Sequence, residues 1–144
     1  MKRRSLLGFL AAALVAASAG ATAADGVAAA DATAVRGVVQ AQLDAFAADD
    51  ASRAFSYAGA GIRDMFGTAE RFMAMVKASY PVVYRPAAVA FLVPEALGEE
   101  IVQGVHLTDA AGRLWLAVYR LQREGAAGWR INGCQLVQSQ AKTT

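Results

Sequence analysis

One cysteine, one histidine and three prolines are all that 144 residues contain of these types. A lone cysteine, Cys134, allows no internal disulfide, so an oxidising compartment cannot staple this chain. One cysteine with one histidine, His106, falls short of the ligand set of a structural zinc site. No metal, cofactor or catalytic signature stands out. Lys and Arg form no stripe able to neutralise a run of phosphates, which argues against nucleic acid as a partner. Apolar residues make up 56% of the chain, yet no run reaches the roughly 20 residues that a membrane span needs.

The N-terminus has the layout of a secretory signal peptide. Lys2, Arg3 and Arg4 form a positive region, residues 6–17 an apolar one, and Ala21-Thr22-Ala23 a small-x-small cleavage site. Residues 1–23 are therefore expected to be removed. Arg3-Arg4-Ser5-Leu6-Leu7 also resembles a twin-arginine export signal, with the general secretory route favoured. Either route predicts a periplasmic or secreted protein with no membrane contact after cleavage. The charge balance changes with it: 14 basic residues become 11 against 12 acidic ones, so the mature chain is nearly neutral at about −1. Some 120 residues remain, enough for one domain with one core.

Residues 24–30 read as a disordered leader, residues 31–138 as the domain and residues 139–144 as a flexible tail. From Asp31, a candidate cap, Val35, Val38, Val39, Gln42, Leu43 and Phe46 recur at three- and four-residue steps and predict a helix. Asp49 or Asp50 is expected to cap a second, short helix through Ala54, Phe55 and Tyr57, and the region around Ile62 and Phe66 a third helical piece. Thr68 is placed to cap a helix over residues 69–79 with Phe72, Met75 and Val76 as its apolar stripe. Tyr80-Pro81 should end it, because the residue before proline is pushed out of the α region. Residues 89–93 read as a first strand, and the prolines flanking it suit an edge.

The most strand-like part of the chain is residues 99–138, three apolar runs separated by two Gly-bearing polar breaks, the pattern of an antiparallel meander. Asp109-Ala110-Ala111-Gly112 supplies one turn. Along residues 113–123, Leu114, Leu116 and Val118 share one face and Trp115, Ala117, Tyr119 and Leu121 the other. A strand apolar on both faces is normally covered on both. In the last run, simple alternation puts Trp129, Ile131, Gly133 and Val137 on one side and Arg130, Asn132, Cys134 and Leu136 on the other. A five-residue loop at residues 124–128 sets Tyr119 opposite Gly133; a two-residue loop sets it opposite Cys134. Helices followed by strands predict an α+β fold, with helices on one face of an antiparallel sheet of four or more strands.

Several runs carry a resemblance. Gln40-Ala41-Gln42-Leu43-Asp44-Ala45-Phe46, Tyr80-Pro81-Val82-Val83-Tyr84-Arg85-Pro86 and Gly128-Trp129-Arg130-Ile131-Asn132-Gly133-Cys134 resemble a family of uncharacterised bacterial proteins known only as a domain of unknown function. So does the segment from Phe66-Gly67 to Val76. The family's shape is similar to the nuclear-transport-factor-2-like, or cystatin-like, cone. The resemblance implies a long helix cradled by a curved sheet, often dimeric through the outer sheet face. It brings no activity with it.

In such a cone the candidate ligand pocket is made of Tyr57, Tyr80, Tyr84, Arg85, His106, Trp115 and Tyr119. Two phenols and a guanidinium at the mouth could hold a carboxylate or another polar ligand end. The structural alternative makes the tyrosines core edges and pairs Arg85 with Glu99 or Glu100. Gly104 beside His106 could leave room for a ligand, while Asp64 and Glu70 flank a Gly-rich turn and are candidate cavity bases or plain helix-end charges. Three functions fit this reading. The leading one is a non-catalytic exported domain that binds a small amphipathic ligand, dimerises through its sheet, or both. The alternatives are a cone-fold isomerase, dehydratase or hydrolase using His106, Asp64 or a tyrosine, and an interaction module for another envelope protein.

Overall fold

The computed structural model describes residues 26–139. The expected signal peptide and residues 140–144 of the expected tail lie outside them. Helix α1, Ala29–Ala47, lays Val35, Val39, Leu43, Ala45 and Phe46 into the core. These are the positions at which a 3.6-residue period returns to one face. It begins two residues before Asp31, with Ala28 at the N-cap and no side-chain cap. Asp31 instead sits in the first turn, where a carboxylate suits the helix dipole, and forms an ion pair with Arg123. Where a leader is expected to fray, Val27 is buried.

Asp49 and Asp50 divide the work at the end of α1. Asp49 takes a left-handed φ of 55° to turn the chain, and the Asp50 side chain accepts from the Arg53 amide at 3.1 Å. That bond caps α2, Ala51–Ser56. Helix α3 covers Ala60–Phe66 and α4 covers Ala69–Ser79, capped by Thr68 as expected. Tyr80 leaves the helical region, and Pro81 then opens a single further turn, α5, Pro81–Tyr84. Proline at a first helical position loses no hydrogen bond, so the segment after Tyr80 coils once more and buries Val82 and Val83. Phe72 of α4 lies at the hub of the helical layer, with the rings of Phe46, Phe55 and Phe66 centred 5.5 to 5.8 Å away.

The second half forms an antiparallel sheet of five strands: β1 Ala88–Phe91, β2 Glu95–Leu97, β3 Glu100–Thr108, β4 Leu114–Arg123 and β5 Trp129–Gln138. Its order is β1-β3-β4-β5, with β2 also paired to β3. The expected first strand over residues 89–93 is thus two short edge strands. Ala88 pairs with Thr108 but Glu95 with Val102, a one-residue slip absorbed where Pro94 cannot donate to a ladder. All buried sheet residues, among them Ile101, Val105, Leu107, Ala117, Tyr119, Leu121 and Ile131, lie on the row that meets the helices. On the opposite face Leu114, Leu116 and Val118 are half-buried. The cover expected over this face is therefore partial within one chain.

A β-bulge in β5 decides where the site residues point. Arg123 pairs with Trp129 across the five-residue loop, yet Tyr119 pairs with Cys134 and Arg120 with Gly133. The ladder shifts between Arg120 and Leu121, leaving Asn132 without an opposite residue. An extra residue on one strand reverses the in-and-out alternation beyond it. Trp129 and Ile131 consequently share the helix-facing row with Cys134 and Leu136, and Gly133 and Val137 share the outer one. This corrects the simple alternation expected from the sequence.

Candidate functional site

Two spaces adjoin beneath the helices. The inner one is a cavity of about 270 Å³ between α3, α4 and the sheet. Phe66, Phe72, Met75 and Val76 form its helical wall and Tyr119, Ile131 and Cys134 its sheet wall. Its lining includes few polar residues, Gln42, Asn132, Tyr80 and Tyr119, and among the described residues no carboxylate, histidine, lysine or arginine lines it. The outer space is a groove of about 840 Å³. Tyr80, Pro81 and Arg85 form one side, the turn from Asp109 to Arg113 the other, and Trp115 with Cys134–Val137 the floor. Tyr80 and Cys134 line both spaces, which therefore meet at these two side chains.

Local sequence explains how the walls are held. The N-terminus of α3 is stitched to the bulge: the Gly59 amide donates to the Ile131 carbonyl at 2.8 Å, and the Ile131 amide donates to the Tyr57 carbonyl at 2.9 Å. Glu124, in the β4–β5 loop, accepts from the Ala60 amide at 2.7 Å and pairs with Arg63 at 3.4 Å. Asn132, freed by the bulge, donates to Gln122 at 2.8 Å. Gln42 ties α1 to α2 by donating to the Ala54 carbonyl at 3.1 Å.

Asp109 organises the far side of the groove. One of its oxygens accepts from the Ala111 and Arg113 amides. The other accepts from the Arg113 guanidinium and, at 3.0 Å, from the Trp115 indole. The indole bond above all, then the Arg113 amide and guanidinium and the Ala111 amide, outweigh desolvation and hold the carboxyl down at about 2. On the near side Asp49 gathers three partners. Tyr84 donates its hydroxyl to it, Arg85 pairs with it at 2.9 Å and Lys77 at 3.2 Å. The Tyr84 hydroxyl, followed by Lys77, lowers its pKa. Arg85 is thus paired with Asp49 and not with Glu99 or Glu100, and two cations sharing one carboxylate leave the groove rim net positive.

Deep inside, the Tyr119 hydroxyl is buried with no hydrogen-bond partner among the described residues. The Cys134 thiol is its polar neighbour, and the side-chain contact between the two perturbs both groups, although sulfur makes only a weak partner. Burial raises the pKa of both groups, Tyr119 well above its usual value and the Cys134 thiol to about 12. Cys134 as a residue keeps some surface exposure.

Of the seven residues expected to form a pocket, Tyr80, Arg85, Trp115 and Tyr119 line these two spaces. Tyr84 lies at the rim, in the Asp49 cluster. Tyr57 lies at the end of α2, its hydroxyl accepting from Arg53, and lines neither space. His106 pairs with Leu116 and Ala90 on the outer sheet face. The room at Gly104 beside it is taken by Leu92, whose side chain would meet an added Cβ at 3.0 Å. Asp64 and Glu70 are exposed on α3 and α4, away from the cavity lining. Gln42 and Asn132 were not foreseen as lining residues: Gln42 reads as part of a core stripe, and Asn132 depends on the bulge.

Fold and site together define an α+β domain with an apolar cavity beside a larger groove of mixed polar and apolar lining. The chain belongs to the family described as domain of unknown function (DUF4864), whose pattern matches residues 28–144. No curated protein and no solved structure matches it.

Proposed function

We propose that this domain binds a small amphipathic molecule, its apolar body in the inner cavity and an anionic end in the groove beside Arg85. The carrying observation is the junction of the two spaces at Tyr80 and Cys134, which sets an apolar chamber directly behind a net-positive rim. Pockets that hold small ligands typically combine such an apolar lining with a few placed polar groups. An uncharged lining favours binding over acid–base turnover, because a general acid or base must reach the reacting atom. His106, Asp64 and Glu70 stand elsewhere. The sequence of residues 1–23 supports an exported, periplasmic setting, in which such a domain would meet its ligand outside the cytoplasm.

Octanoate is a suitable probe. Titration followed by amide shifts should give saturable changes at Phe72, Tyr80 and Cys134, and Arg85→Gln should weaken octanoate while leaving octanol unaffected. Absence of saturable shifts at millimolar octanoate and octanol would remove the proposal. A second reading, self-association, rests on the outer sheet face, where Leu114, Leu116 and Val118 are half-buried and Val137 is exposed. Sedimentation at micromolar concentration should then show a dimer that Leu116→Arg dissociates; a monomer throughout would sink it.

A further inference from the structure

We infer that the free edge of β5 takes up an extended peptide segment as an added strand, with an acidic side chain of that segment held at Arg85. The inference goes beyond the small-molecule reading and does not depend on the inner cavity. β5 ends the sheet, and its start is covered by the segment before α3, where the Gly59 amide and the Tyr57 carbonyl bond the outward groups of Ile131. Beyond the bulge the ladder fixes where each backbone group points. The Ser139 amide donates to the Leu114 carbonyl, and Gln138 stands opposite Trp115. Bonded and non-bonded pairs alternate along an antiparallel ladder. Gln135 and Val137 therefore bond to β4, and the N–H and C=O groups of Cys134, Leu136 and Gln138 point away from it. These outward groups have no hydrogen-bond partner among the described residues.

The two edges of the sheet differ. Edge strands are normally shielded by brevity, proline or charge. The far edge has all three: β1 and β2 are four and three residues long, Pro94 parts them, and Glu95 opens the second. Residues 133–138 contain neither proline nor charge. A groove runs beside them instead, lined by Cys134–Val137 at the edge and by Tyr80, Pro81 and Arg85 across from it. Side chains of an added strand alternate between faces, so residues two apart turn into the groove together. One apolar side chain then meets Leu136 and Trp115, and one acidic side chain meets Arg85, whose guanidinium bonds Asp49 through a single nitrogen. Lys77 shares that carboxylate, and Asp109 on the far side is paired with Arg113. The rim is thus net positive and complements an acidic segment.

The capped pentapeptide Thr-Val-Thr-Glu-Thr is the probe, followed by amide hydrogen exchange. Without peptide, the amides of Cys134, Leu136 and Gln138 should exchange faster than those of Gln135 and Val137. Saturating peptide should slow the first set by about tenfold and leave the second unchanged. N-methylating the peptide at alternate amides gives two analogues, and only the one methylated on the side facing β5 should lose binding. Loss by both, or by neither, would overturn the inference. Arg85→Gln should weaken the peptide by up to about fivefold; an unchanged affinity would overturn the placement of its acid. Octanoate bound with no response to peptide would leave the small-molecule reading standing and remove this one, and peptide bound without octanoate would do the reverse. Protection of the same amides that grows with protein concentration alone would assign the edge to a second copy and overturn the peptide.

Discussion

Replacing Gly59 by alanine tests whether the bulge in β5 seats the helical wall of the cavity. Gly59 has φ −70° and ψ 167°, a conformation any residue adopts, so backbone strain plays no part. The obstacle is space. A Cβ at this position would stand 2.3 Å from Asn132 Oδ1, 3.0 Å from Glu124 Oε1 and 3.4 Å from the Ile131 carbonyl. Two of these atoms end flexible side chains, but neither side chain is free to leave. Asn132 is held by Gln122 at 2.8 Å and Glu124 by the Ala60 amide at 2.7 Å. Overpacking of this kind costs about 1–3 kcal/mol, and each hydrogen bond given up to relieve it about 1 kcal/mol more. Against this, alanine lowers the entropy of the unfolded chain, returning about 0.4–1 kcal/mol. The net expectation is a loss of about 2 kcal/mol, or a melting temperature lower by about 8 °C for a domain this size.

Urea denaturation at fixed temperature gives the free energy directly, provided the slope is unchanged. Asn132→Ala in the Gly59→Ala background supplies the internal control. It removes the atom at 2.3 Å, so the double variant should be more stable than Gly59→Ala alone, a coupling of about 1 kcal/mol in a mutant cycle. A Gly59→Ala protein as stable as the unmodified one, or additivity in the cycle, would refute the claim that α3 is seated against Asn132.

Gly37, in the middle of α1, makes the opposite prediction. Nothing lies within 4 Å of a Cβ added there, so Gly37→Ala should raise stability by about 0.5–1 kcal/mol through helix propensity alone, measurable as a melting temperature higher by about 3 °C. Asp109 carries a pH prediction. Its pKa is depressed from 3.8 to about 2, so its stabilising contribution is fully present above pH 4 and is lost as the pH falls toward 2. Asp109→Asn should therefore melt below the unmodified protein at pH 6, with the gap closing between pH 4 and 2; a gap independent of pH would count against the Asp109 bonds to Trp115 and Arg113.

What could be read from the chain alone follows from how local each signal is. Helix α4 is legible from Thr68 to Tyr80 because cap, apolar stripe and proline all lie within a dozen residues and agree. The Asp109 turn is legible for the same reason: Asp109 bonds Ala111 and Arg113 within the turn. Asp49 is harder. Its partners Lys77, Tyr84 and Arg85 lie 28 to 36 positions away, and no local pattern distinguishes a carboxylate that gathers them from one that caps the next helix. Arg85 could be seen as a rim cation, whereas its choice of Asp49 over Glu99 or Glu100 depends on how α5 meets the end of α1.

The bulge shows why the pocket was only half legible. Both loop lengths weighed for the β4–β5 turn assume an unbroken ladder, and each gets one fact right. The loop does have five residues between Arg123 and Trp129, and Tyr119 does face Cys134. Only an extra residue reconciles them, and nothing in Trp129-Arg130-Ile131-Asn132-Gly133-Cys134 marks which residue that is. The Gly59 amide on the Ile131 carbonyl supplies the missing constraint, from a residue more than seventy positions upstream. That bond belongs to a segment pairing with the start of β5, where Ala58 bridges Ile131. Pairing at this edge keeps Ile131 facing the helices, and the slip beyond it turns Cys134 to the same side. The polar end of the cavity, Tyr119 beside Cys134, is therefore a consequence of how α3 docks. A variant that loosens Gly59 from Ile131 should change ligand binding before it unfolds the sheet.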